Sequence, residues 1–123
     1  MGKLLILMLL CHILDDFVLQ PICLSKLKQK SFWEKSGYYK KPYSNDYKMA
    51  LGIHALSWSI SIILPLLLFA SETFLWLSIF GNTIIPYLID DIKANKLRIN
   101  LITDQLIHII QIITTWEIFC LVM

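Results

Sequence analysis

Four stretches of the chain read as apolar runs of membrane-crossing length, at about 4–25, 48–70, 73–93 and 100–123. A helix needs about 20 predominantly apolar residues to cross a hydrocarbon core about 30 Å thick. The second run is the cleanest, since "ALGIHALSWSISIILPLLLFA" holds no carboxylate, lysine or arginine. Acids interrupt the other three, most abruptly in "CHILDDFVLQ", where His12, Asp15 and Asp16 fall inside the first run. Only "SET" lies between the second and third runs, which predicts a tight hairpin. The pattern predicts an all-α polytopic membrane protein, with four transmembrane helices in a compact bundle. Residues 1–123 form one domain, with a basic and aromatic connection at 26–47.

Composition agrees. A chain of 123 residues is one domain at most. Hydrophobic residues make up 57% and charged residues 16%, against about 25% charged in ordinary soluble domains. Mean hydropathy is +0.65. A soluble bundle of this size has too little interior to hide that much apolar surface. The opening "MGKLLILMLLC" lacks a small-residue cleavage site, Leu10 does not suit a lipoprotein cut before Cys11, and Ile6 breaks the myristoylation pattern. It reads as the start of a retained helix. Cys11, Cys23 and Cys120 lie in apolar surroundings with no metal or redox spacing, and read as inert buried thiols.

The placement of charge says more than its total. Lys26, Lys28, Lys30, Lys35, Lys40, Lys41 and Lys48 fall between the first and second runs, and Lys93, Lys96 and Arg98 between the third and fourth. Ten of the eleven basic residues thus lie on one side, with Lys3 opposite. The positive-inside rule makes both connections cytoplasmic and both termini external, in what reads as a bacterial inner membrane. The first connection mixes these lysines with Phe32, Trp33, Tyr38, Tyr39, Tyr43 and Tyr47. Its plainest reading is an interfacial segment on anionic headgroups. A basic lip gathering an anionic substrate is the sharper one, and nucleic acid is not the expected partner.

With that orientation the ionisable residues fall in one depth band. At 1.5 Å per residue, Asp16 lies about 13 Å from the cytoplasmic end, His54 about 10 Å, Asp90 about 5 Å, Asp104 about 6 Å, His108 about 12 Å and His12 about 20 Å, unless Pro21 bends the first helix. His12, Asp16 and Gln20 form one stripe, and Asp104, His108, Gln111 and Thr115 another. His54 shares a side with Ser57, Ser61 and Pro65, and Asp90 lies below Pro86 and Asn82. Asp15 and Asp91 sit about 100° round their helices from their neighbours and are expected at the cleft edge. Lys93 is expected as an ion-pair partner of Asp90, as a phosphate contact or as an interfacial lysine. Imidazole and carboxylate are the ligands that divalent transition metals take, and an i, i+4 His/Asp pair presents both on one face. A purely structural hydrogen-bonded network and a proton or ion path remain alternatives.

The motifs resemble those of domain-of-unknown-function family 3307, small polytopic membrane proteins of bacteria and phages. "HILDDFVLQ" supplies His12, Asp16, Phe17 and Gln20 of its opening motif, and "LGIHAL" supplies the histidine of the next span, His54. "PYLIDDIK" supplies Asp90 and Lys93, and "DQLIH" supplies Asp104, Gln105 and His108. Where the family usually has a histidine four residues before the third-span aspartate, this chain has Pro86.

The functional expectation is a membrane-embedded, metal-dependent hydrolase with a His/Asp site open to the cytoplasm. His12, Asp16, His54, Asp104 and His108 would hold one or two divalent ions, zinc or manganese by ligand type. Asp90 and Asp16 would be catalytic, and Gln20, Lys93 and Gln105 would contact an anionic lipid or small-molecule substrate carrying a phosphate or ester. An ion- or proton-coupled transport component and a non-enzymatic membrane adaptor are the alternatives. A small-residue face on the second span admits a homo-oligomer.

Overall fold

The structure is a computed structural model, and it describes residues 1–20, 22–36 and 43–123. The bend expected at Pro21 and the part of the basic connection that contains Tyr38, Tyr39, Lys40 and Lys41 lie outside the described residues. Among those residues every regular element is helical. Helix α1 (Gly2–Leu14) runs into a π-helical turn (Asp15–Leu19), and two short helices follow, α2 (Ile22–Leu27) and α3 (Lys30–Lys35). Three long helices complete the bundle: α4 (Asp46–Ile63), α5 (Glu72–Ala94) and α6 (Leu101–Val122).

Among the described residues three helices are long and apolar enough to cross a membrane: Asp46–Leu66, Glu72–Ala94 and Leu101–Val122. The sequence predicts four, and the first is the exception. Gln20 is extended, at φ −69° and ψ 108°, and the residue before a proline is disfavoured in the helical region. The first apolar run is therefore divided into α1, its π-turn and the short α2. Even so, α1 lies along α6 from Trp116 to Gln105. The Trp116 indole N–H donates to the Met1 carbonyl at one end, while His12 meets Gln105 toward the other.

Local signals set the ends of the long helices. Ser71 caps α5 by accepting from the Phe74 N–H, and Asn100 caps α6 by accepting from the Thr103 N–H at 2.9 Å. Pro65 falls in the 3₁₀ turn that ends the α4 span. Between α5 and α6, Leu97 adopts a positive φ of 52°, a conformation strained for any side chain with a Cβ. Pro86 sits inside α5 and has no N–H for the Asn82 carbonyl four residues earlier. Gln111 of α6 supplies the missing donor, its Nε2 lying 3.1 Å from that carbonyl.

Helix α4 is the hub, with half of its span buried inside the protein against 11% for α5. Its far half packs an apolar core of Met8, Trp58, Ile62, Ile63, Leu66, Ile112 and Phe119. Its near half, toward the lysine-bearing connections, meets buried polar side chains instead. Outward-facing positions such as Leu68, Trp76, Leu77, Phe80, Ile102 and Leu121 are exposed and apolar, a surface far larger in apolar extent than soluble monomers carry.

Candidate metal centre

The i, i+4 spacing of His12 and Asp16 carries both into the bundle, with Nδ1 3.7 Å from Asp16 Oδ2. The same spacing on α6 places His108 Nε2 3.5 Å from Asp104 Oδ1. His54 of α4 stands between two acids, its Nε2 3.6 Å from Asp16 Oδ1 and 3.3 Å from Asp90 Oδ2. His12, His54, His108, Asp90 and Asp104 are all buried. The sequence-predicted imidazoles and acids therefore come together in one cluster, drawn from four separate segments of chain.

One hydrogen-bonded chain fixes its polarity. The Trp58 indole N–H donates to His12 Nδ1 at 2.8 Å. That nitrogen carries no proton, so the proton of the ring is on Nε2, which faces Gln105 Oε1 at 3.0 Å. The Gln105 amide hydrogens are then directed to the acids, with Nε2 3.0 Å from Asp16 Oδ2 and 3.4 Å from Asp104 Oδ2. Both nitrogens of His12 are thus engaged within the protein, and His12 orients the glutamine that ties two carboxylates together.

Other placements differ from the expected ones. Asp15 is buried rather than at the cleft edge, and its Oδ1 accepts from Ser57 and Ser61, each at 3.0 Å. The cause is the π-turn, whose i→i+5 bonding gives a wider turn than an α-helix. Adjacent residues then diverge less, and Asp15 and Asp16 both reach inward. Asp91 stays half-buried near Asn95 and Lys96. Lys93 pairs with Asp104 instead of Asp90. The partner of Asp90 is Lys28, a buried lysine 3.0 Å away that sequence alone places among the connection lysines. Asn82 does not take the place of the family histidine, because its side-chain oxygen is held by Gln111 and Thr115.

Trp58 was also missed, although it lies four residues after His54 and a buried indole N–H needs an acceptor. Gln20 lines a polar cavity of about 720 Å³ together with Lys28, Glu34, Asp90, Lys93 and Asn95. Asn95 closes one wall, accepting from the Lys30 N–H at 2.7 Å and donating to the Lys28 carbonyl at 3.2 Å. The cavity lies where α2 and α3 meet the end of α5, so the cluster opens toward the lysine-bearing end.

Two groups within the cluster have the make-up of a cation site, Asp15/Asp16/His54 and Asp90/Asp104/His108, each with donor atoms within 4.8 Å of one another. Two ligands about 2.2 Å from one ion span at most about 4.4 Å, so either group needs to contract by only a few tenths of an ångström. Among the described residues, Asp16 Oδ1, Asp104 Oδ1 and His108 Nδ1 are buried without a hydrogen-bond partner. Unpaired buried polar atoms are costly, about 1–3 kcal/mol each and more when charged. Charge points the same way: among the described residues, Asp15, Asp16, Asp90 and Asp104 are met by two ammonium groups, Lys28 and Lys93. With the carboxylates ionised and the imidazoles neutral, the deficit would equal one divalent cation. These residues fit such an ion.

The family model "Protein of unknown function (DUF3307)" matches residues 4–123. No curated protein and no solved structure matches the chain. The chain belongs to the DUF3307 family.

Proposed function

We propose that this member of the family is a membrane-embedded, metal-dependent hydrolase of a bacterial inner membrane. In this reading α1, its π-turn and α2 supply a fourth membrane segment beside α4, α5 and α6, with both termini outside and the lysine-rich connections in the cytoplasm. The observation that carries the proposal is the pair of oxygens, Asp16 Oδ1 and Asp104 Oδ1, that lack a hydrogen-bond partner among the described residues, in a cluster where four carboxylates meet two lysine ammonium groups.

Asp16 with Asp15 and His54, and Asp104 with Asp90 and His108, would hold one or two ions, zinc or manganese. A divalent ion there would supply an acidified water and polarise a phosphoryl or ester oxygen. The residues of the chain do the rest. His12, pinned by Trp58, holds Gln105 so that Asp16 and Asp104 keep one oxygen each for the ion. Lys93, half-buried at the cavity, attracts the anionic group of the substrate, and Gln20 contacts it from the cavity wall. With the ion held by Asp15, Asp16 and His54, Asp90 would be left to take a proton from the attacking water and return it to the leaving alkoxide. The water oxygen forms a bond to phosphorus or carbonyl carbon as the bond to that alkoxide breaks, giving an acid and an alcohol. Support for hydrolysis over conduction comes from the outer half, where Met8, Trp58, Ile62, Ile112 and Phe119 pack as an apolar core.

The test is metal analysis of protein purified in detergent without chelator, followed by turnover of bis-p-nitrophenyl phosphate and of phosphatidylglycerol vesicles. The expected result is about one divalent ion or more per chain, lost in His54→Ala and Asp104→Asn, with hydrolysis that stops on chelation. An absent ion, or one retained by both variants, overturns the site. A bound ion without hydrolysis of either probe overturns the reaction and leaves a structural centre.

A further inference from the structure

We infer that Lys28 and Lys93 are tethered cations standing in for a second metal ion, so that the cluster takes one ion, at Asp15, Asp16 and His54; this rests on the metal site proposed above. The two candidate groups are alike in ligand type and differ in what already meets their acids. In the group of Asp90, Asp104 and His108, both carboxylates are ion-paired. Lys28 Nζ lies 3.0 Å from Asp90 Oδ2, and the Lys93 ammonium donates to Asp104 Oδ2. An ion held by that Asp90 oxygen, at about 2.2 Å, would lie no more than about 5 Å from the Lys28 nitrogen. Like charges at that spacing repel, most strongly where water is scarce.

In the other group the donors are neutral. The Ser57 and Ser61 hydroxyls donate to Asp15 Oδ1, each at 3.0 Å, and the Gln105 amide donates to Asp16 Oδ2. Among the described residues Asp16 Oδ1 has no hydrogen-bond partner, although the side chain is 9% exposed. It lies 3.6 Å from His54 Nε2, close enough for one ion to bind both atoms.

The chain itself holds the two lysines in place. Lys28 is buried, and its carbonyl accepts from Asn95 Nδ2 at 3.2 Å, which ties it to the end of α5. Lys93 belongs to α5. A second ion would have to displace both ammonium groups from their acids. Both lysines also line the polar cavity with Asp90. An anionic group entering there meets two ammonium groups where a two-ion site would offer a second metal.

Charge then sets the ion count. With the carboxylates ionised and the imidazoles neutral, four acids and two lysines leave a place for one divalent ion. Asp104→Asn frees the Lys93 ammonium and halves that deficit. Removing Lys93 as well restores it, and removing both lysines doubles it.

Manganese content and electron paramagnetic resonance of the full-length protein in detergent, loaded with manganese alone, test this. The parent should hold about one ion per chain, with the spectrum of an isolated ion. Lys28→Met/Lys93→Met should hold about two, with the spin–spin broadening of ions about 4 Å apart. His108→Ala should keep the parental ion. Asp104→Asn should lose it, and Lys93→Met/Asp104→Asn should regain about one. That recovery leaves no lysine stranded, and it decides the matter if the lysine-free variant does not fold. Two ions in the parent, or fewer than two in a folded lysine-free variant, overturn the inference and leave the metal site standing. Loss of the ion in His108→Ala, or no recovery in Lys93→Met/Asp104→Asn, does the same. Absence of manganese from every one of these proteins overturns the metal site and the inference together.

Discussion

The two ends of the bundle are held by different physics, although the same helices build both. Toward the termini, Met8, Ile62, Ile63, Leu66, Ile112 and Phe119 fill volume with no directional partner. Toward the connections, contacts are between named atoms: Lys28 with Asp90, Lys93 with Asp104, Gln105 with Asp16, Asn95 with the start of α3. Apolar packing in a membrane gains little over lipid contact and depends on fit. A buried polar pair fails abruptly when one member is lost, because the other is left unpaired. The apolar end should thus degrade by degrees, and the polar end by steps.

The largest step should come from Asp90→Ala, which strands the buried Lys28 ammonium. Breaking a buried pair costs about 3–5 kcal/mol, to be read as a fall in unfolding free energy in detergent. Asp90→Asn should recover part of that stability without recovering bound metal. If the two variants unfold alike, the directional account of this end is wrong.

Ile112→Ala should cost less, about 2–4 kcal/mol, as a buried side chain is cut back to leave a cavity. Ile112 is fully buried in the apolar core, and its loss should leave metal content at the parental value. A variant that loses its ion along with its packing would mean that the two ends form one cooperative unit.

This contrast also governs what the sequence could reveal. The all-helical architecture and the inward faces of His12/Asp16 and Asp104/His108 follow from periodicity, which survives in the structure wherever the helix is regular. Periodicity misleads where regularity fails. The π-turn at Asp15–Leu19 brings Asp15 inside, and the extended Gln20 divides the first apolar run so that, among the described residues, three helices rather than four have the length to cross a membrane. Lys28 could not be assigned from its own neighbourhood, since its partner Asp90 is 62 positions away. Pro86 announced a missing N–H, but nothing local showed that Gln111 would replace it.

Asn95→Ala probes the wall of the polar cavity. Its side chain accepts from the Lys30 N–H and donates toward the Lys28 carbonyl and Asp91. Losing these partly exposed bonds should cost about 1–2 kcal/mol, with faster amide exchange confined to α2 and α3. Exchange that quickens in α5 and α6 as well would show that the wall and the bundle open together.

Trp58→Phe should have the smallest effect on stability, about 1 kcal/mol for one lost hydrogen bond, and it sharpens the comparison most. The indole ring belongs to the apolar core while its N–H ends at His12 Nδ1. Phenylalanine keeps an aromatic ring at that position and removes only the donor, together with some ring volume. His12 can then carry its proton on either nitrogen, and Gln105 loses the constraint that presents its amide hydrogens to Asp16 and Asp104. Metal affinity should fall about tenfold, within the range for loss of an outer hydrogen-bond partner, while unfolding barely moves. Ile62→Val, a change of similar energetic size at about 0.5–1.5 kcal/mol, should leave affinity unchanged. Equal affinities in these two variants would mean that the orientation of Gln105 is set without the tryptophan, and that the apolar end exerts no control over the polar one.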